Sequence, residues 1–167
     1  MRIVRNALLA ASLVCGLSWA AVAQNYKTCF ERDEKRDYPA AFRKWLPLAK
    51  KGEIAAEFCV GVLYMNGGEN FPQDSLKSMY WFEKAAAQGH PIAMTNLAFA
   101  YTKGDDVPQD FVEAYILYSL ATLMPSVSKS LRQSWRDEAA QRLSPKMIRD
   151  AQREVKKRWK QIRARKK

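Results

Sequence analysis

Val60-Gly61-Val62-Leu63-Tyr64, Gly67-Gly68, Phe71-Pro72-Gln73-Asp74 and Trp81-Phe82-Glu83-Lys84-Ala85-Ala86, closed by Gly89-His90-Pro91, make up the stretch that decides the fold. Its landmarks return downstream as Leu97-Ala98-Phe99-Ala100-Tyr101, Gly104, Val107-Pro108-Gln109-Asp110 and Tyr118-Ser119-Leu120-Ala121. Ala56 and Ala93, Tyr64 and Tyr101, and Gly67 and Gly104 each stand 37 positions apart, whereas Pro72 and Pro108 stand 36 apart. The second copy therefore lacks one loop residue. The same step taken upstream from Asp74, Phe82, Ala86 and Gly89 lands on Asp37, Trp45, Ala49 and Gly52, a third second-helix with its own terminal glycine. Repeats of this length fold as stacked helical hairpins, none of which can bury its apolar face alone.

Local signals place the helices. Residues 37–52 read as one helix: Asp37 can accept from free N–H groups of the first turn, Pro39 sits in that turn, and Gly52 can take the left-handed stop. Ala41, Trp45, Leu48 and Ala49 form its apolar stripe. The next helix runs from Glu53 to Asn66 with Ala56, Val60, Leu63 and Tyr64 inward, and Gly61 there permits close approach of a neighbouring backbone. Phe71 anchors an otherwise polar loop, Asp74 caps a helix to Gln88, and Pro91 opens the following one. Asp110 and Glu113 read as an acidic capping box. Past Pro125 the repeat stops. Ser128 to Leu143 reads as a helix with Leu131, Trp135, Ala139 and Leu143 on one face. Ser144-Pro145 opens a last helix whose stripe is Ile148, Ala151, Val155, Trp159 and Ile162. Such closing helices cover the outer apolar face of a terminal repeat.

The pattern L/V-G/A-x-x-Y, then G, then V/F-P-Q-D, then W-F/Y-x-K-A-A-x-x-G, resembles the Sel1-like repeat, a relative of the tetratricopeptide repeat, over residues 37–124. Trp135 to Pro145, with Ala151-Gln152 and Trp159, is similar to the closing helices of small exported proteins of that type. Ala98 replaces the family glycine, and the first repeat lacks its long first helix. The resemblance implies an all-α fold, a short α-solenoid of Sel1/TPR-like helical hairpins with C-terminal capping helices. It divides the chain into a leader (1–23), an array of about 2.5 repeats (24–125) and a capping segment with a basic tail (126–167).

The leader reading rests on Arg2 and Arg5, an apolar run from Ala7 to Trp19, and the small residues of Ala21-Val22-Ala23 before Gln24. That run is too short to span a bilayer. Cys15 offers a lipid-attachment alternative, which the bulky Val14 before it disfavours. The expectation is cleavage near Ala23 and a periplasmic or secreted mature chain. Two cysteines then remain, Cys29 and Cys59, in an oxidising compartment. A disulfide between them would staple the ragged end of the array; the alternative is two separate buried thiols. Neither has a Cys or His at metal-ligand spacing.

Charge is segregated. The whole chain carries +11, yet residues 24–145 balance 15 basic against 15 acidic side chains, and residues 146–167 hold 11 Lys or Arg against 2 acids. The basic tail, including Lys156, Lys157, Arg158 and Lys160, is either a solvated face on a capping helix or a contact for an anionic membrane surface or an acidic partner. Nucleic acid is the weakest reading for an exported chain.

Nothing in the sequence supports catalysis or a cofactor: there is no phosphate loop, no metal-ligand pair and no nucleophile signature. The single histidine, His90, stands at a helix start and reads as a cap, and Asp105-Asp106 reads as a solvated turn. The resemblance instead implies a concave face lined by the first helices of each pair. By analogy with tetratricopeptide grooves it would present Glu57, Cys59, Val62 and Met65 in one copy and Met94, Asn96, Phe99 and Thr102 in the next. Asn96 stands where related repeats place a peptide-binding amide; its counterpart is Cys59. The expected function is an exported protein-interaction module. A sharper form resembles periplasmic immunity proteins that neutralise a lipase-class secreted effector, and a third reading is an envelope-surface protein working through its basic helix.

Overall fold

The computed structural model describes residue 29, residues 37–124 and residues 129–165, the side chains of 129–132 excepted. The leader, Pro125 and Ser128 lie outside the described residues, as does the side chain of Leu131. Seven helices follow one another among the described residues: α1 (Tyr38–Lys50), α2 (Ile54–Asn66), α3 (Ser75–Ala87), α4 (Pro91–Lys103), α5 (Phe111–Thr122), α6 (Lys129–Ala140) and α7 (Pro145–Arg165). Each packs on its neighbour in sequence from α1 to α6, and α7 turns back to pack on α5. The fold is all-helical, and no described helix is long and apolar enough to cross a membrane.

The repeat is visible in its hydrogen bonds. Asp37, Asp74 and Asp110 each turn Oδ1 to the backbone N–H three residues on, at 2.8, 2.9 and 2.9 Å. Each bond satisfies one of the donors that a helix start leaves unpaired, typically worth about 1 kcal/mol. At the far ends, Gly52 and Gly89 take φ of +86° and +92°, so the following N–H of Glu53 and His90 reaches back to Leu48 O and Ala85 O. A side chain with Cβ is strained there, which is why the sequence spends glycine at both stops. The loops repeat as well: Asp74 N donates to Tyr64 O at 2.9 Å and Asp110 N to Tyr101 O at 3.0 Å. The one-residue deletion falls between Gly104 and Gln109 and leaves this bond in place.

Two details differ from the sequence reading. Gly61 is closely approached by a side chain, not a backbone: a Cβ there would lie 2.6 Å from the Phe82 ring. Ser78 Oγ, one turn before Phe82, donates to Gly61 O at 2.9 Å and pins the two helices together. And α6 ends at Ala140 instead of Leu143, because the N–H groups of Arg142 and Leu143 bond three residues back in a tightened turn. Pro145 enforces this, since the residue before a proline is pushed out of helical geometry.

Ala56 to Leu63 of α2 and Ala114 to Ala121 of α5 are buried without interruption. These two helices form the axis of the core, which joins Phe58, Phe82, Leu97, Tyr118 and Ile162. Ala49, Ala56, Val60 and Trp81 make a satellite under α1. Phe71 anchors its loop as expected, packing at 5.0 Å from Phe42 and 5.2 Å from Tyr64. The predicted stripe of α7 is the side it turns to the array, with Ala151 and Ile162 buried and Ile148, Val155 and Trp159 packed against the core.

Candidate functional site

The expected concave face divides sharply. Phe99 on α4 is 51% exposed, and Met65, Asn96 and Thr102 reach solvent in part. Glu57, Val62 and Met94 do not: they are 3%, 0% and 0% exposed. These three belong to the core and cannot touch a partner in the folded protein. Glu57 and Met94 occupy equivalent positions in the two copies, so that register position turns inward in both.

Val62 and Phe99 are equivalent too, yet one is buried and the other open. The difference lies in what covers the first copy. Cys29 forms a disulfide with Cys59, one turn before Val62, with the two Cα atoms 5.0 Å apart. Cys29 is itself fully buried, and its carbonyl accepts from Trp45 Nε1 at 2.7 Å. Cys29 thus sits on the face of α2 that corresponds to the open face of α4. The accessible surface is carried by α4: Asn96, Phe99 and Thr102 at helical spacing, with the Lys103 ammonium 5.5 Å from the Phe99 ring. Thr102 Oγ satisfies itself on Ala98 O at 2.8 Å, leaving its methyl group with Phe99 as the apolar content of the strip.

His90 fixes where α4 begins. Its Nδ1 accepts from Ala93 N–H at 3.2 Å, and its ring stacks on Phe58 with centroids 4.3 Å apart. Burial holds its pKa down at about 4, so it is neutral near pH 7 and able to accept. Glu57, close by, is pushed above the usual carboxylate range by burial, against the opposing hydrogen bond from Gln88. Gln88 Nε2 joins Glu57 Oε2 at 2.8 Å and Gly52 O at 3.0 Å, tying successive helix ends together.

A second concavity of about 350 Å³ lies where α7 crosses α3, α4 and α5. Met94, Leu97, Leu117, Leu120 and Ile162 supply apolar lining, and Glu83, Tyr101, Glu113, Glu154, Arg158 and Arg165 supply the polar groups. Glu113 does not complete the expected capping box. Its N–H bonds Asp110, but its carboxylate takes Arg158 in a two-pronged pair at 2.5 and 3.0 Å. Arg158, expected on a solvated or partner-facing tail, is therefore a structural clamp, and it also donates to Glu154 at 2.9 Å. Burial disfavours its charge, but the bonds to Glu113 and Glu154 outweigh that and raise its pKa. Arg165 Nη1 extends the seam to Ala87 O at 3.0 Å. Glu113, Glu154 and Arg158 are thus spent on one another, holding α7 down. Among the described residues no group of three His, Cys, Asp or Glu side chains could hold a metal ion. Lys156, Lys157 and Lys160 remain exposed.

Helix order and recurring caps define the class: a short tandem-repeat helical solenoid. More particularly, residues 54–90 and 91–125 each match the Sel1 repeat, so the chain carries two Sel1 repeats in tandem. Proteins built from Sel1 repeats generally mediate protein–protein interaction. The chain is similar to a protective antigen of uropathogenic Escherichia coli strains that displays an SLR fold, with a TM-score of 0.70 and 24% identity over 85% of this chain. It spans 30% of that longer protein. It is also similar, at a TM-score of 0.46 and 22% identity, to a Sel1 repeat protein from Oxalobacter formigenes, covering 66% of this chain and 96% of that one.

Proposed function

We propose that this protein is an exported, periplasmic interaction module that holds a protein or peptide partner on the open face of α4. The observation that carries the reading is Phe99: a large aromatic ring half in water, on a helix that otherwise buries Ile92, Ala93, Met94, Leu97 and Ala98. Aromatic anchors of this kind carry much of the energy of protein interfaces. Asn96 stands beside it on the same helix, partly open to solvent, and Lys103 adds a cation at the rim. The Cys29–Cys59 disulfide supports export, because such bonds persist in oxidising compartments. The N-terminal leader pattern points the same way.

Affinity capture from periplasmic extract tests this, with Asn96→Ala and Phe99→Ser run beside the unaltered protein. Phe99 is exposed enough that the serine variant should keep its helical circular dichroism. Loss of the captured partner in both variants, with helicity retained, is the expected result. Capture that survives both changes would place the binding site elsewhere.

A further inference from the structure

The exposed side of α7 carries a pattern that neither the repeats nor the α4 face explains. Lys146, Arg149, Arg153, Lys156, Lys160 and Arg163 follow one another at alternating steps of three and four, and every one is exposed. Steps of that kind keep side chains on one face, within an arc of roughly 100°. At a rise of 1.5 Å per residue the ridge is about 25 Å long with a cation roughly every 5 Å. Its two nearby acids are already engaged: Asp150 pairs with Lys146 and Arg153, and Glu154 with Lys157 and Arg158. Among the described residues no carboxylate pairs with Arg149, Lys156, Lys160 or Arg163. The opposite side of the same helix is docked on the core and clamped by the Arg158–Glu113 pair.

We propose that this ridge is a docking surface for an anionic lipid bilayer, on which the protein lies with α7 parallel to the membrane plane. A straight row of cations at one height matches a plane of negative headgroups. The row lacks the exposed aromatic rings that stacking on single-stranded nucleic acid requires. Because the apolar side of α7 is occupied, attachment is electrostatic and peripheral, without insertion of the helix. Clusters of four to eight Lys or Arg act in this way, each cation strengthening binding by a factor of about five. The proposal leaves α4 free to hold a partner at the same time.

The test is co-sedimentation of the protein, purified as the cell delivers it, with vesicles of pure phosphatidylcholine or of phosphatidylcholine containing phosphatidylglycerol. Binding should require phosphatidylglycerol and fade as salt rises from 0.05 to 0.5 M, as screened charges must. Arg149→Gln, Lys156→Gln, Lys160→Gln and Arg163→Gln combined should lower the partition coefficient at least about 100-fold with unchanged helicity. Trp159 should show no quenching by brominated acyl chains. Equal binding to both vesicle types, or retention by the fourfold variant, would overturn the proposal. So would quenching of Trp159, or binding to soluble polyphosphate with none to vesicles.

Discussion

Acidification should weaken this protein through one histidine, by an amount that follows from its surroundings. His90 caps α4 through Nδ1 and lies against Phe58, and its pKa falls from the ordinary 6.5 to about 4. A protonated ring would point an N–H at the Ala93 N–H and set a cation at the positive end of the helix dipole. The unfolded chain takes up the proton near pH 6.5, the folded one only near 4. The histidine's contribution is therefore complete above about pH 6.5, declines as pH falls, and is exhausted below about 4. A difference of that size corresponds to about 3 kcal/mol, a large share of a typical 5–15 kcal/mol stability. Glu57 acts oppositely: its raised pKa favours the folded state below the ordinary 4.5, a contribution lost as pH rises. The histidine effect must therefore be isolated by difference. His90→Asn keeps a capping oxygen but cannot titrate. Urea unfolding of both proteins, followed by circular dichroism from pH 7.5 to 4, should show a stability difference that is flat above pH 7 and shifts by about 3 kcal/mol against the unaltered protein by pH 4. A difference constant to within about 0.5 kcal/mol across the range would refute a neutral, buried cap at His90.

Three further outcomes follow from the packing. Cys29 and Cys59 are 30 residues apart, so reducing their bond should cost about 3–4 kcal/mol, and hydrogen exchange should then rise first in α2. Gly61→Ala drives a methyl group into the Phe82 ring and should cost about 1–3 kcal/mol in urea unfolding, with Phe82→Leu in the same chain recovering most of it. Arg158→Met should loosen α7 and cost about 1–2 kcal/mol; adding Glu113→Gln should recover part of that, whereas strict additivity would mean the pair is not coupled.

The fold was legible because its signals are local and recur. Asp at each second-helix start, Gly at the stops of α1 and α3 and the Pro-Gln-Asp loop before α3 and α5 keep their spacing whatever surrounds them, and the apolar stripe of α7 is set by helical periodicity alone. What could not be read depends on long-range contacts. The Glu113–Arg158 pair joins positions 45 residues apart, and Glu113 fitted a local capping rule equally well. The inner and outer positions of α2 were indistinguishable because Ala56 to Leu63 is buried all round and carries no amphipathic pattern. Val62 and Phe99 look equivalent in sequence, but the disulfide that sets Cys29 against Cys59, one turn from Val62, has no counterpart at Asn96. The cation ridge needed no contact information, but it becomes a ridge only once α7 is known to dock its other side.

On the proposed function, the open face of α4 is where a partner sits. A photo-reactive phenylalanine analogue at position 99, irradiated in the periplasm, tests it most directly, with the same analogue at Tyr80, an equally exposed ring on α3, as the comparison. One discrete crosslinked species from position 99, absent from position 80 and lost when Asn96→Ala is added, is the expected result. Equal crosslinking from both positions, or none from 99, would contradict it.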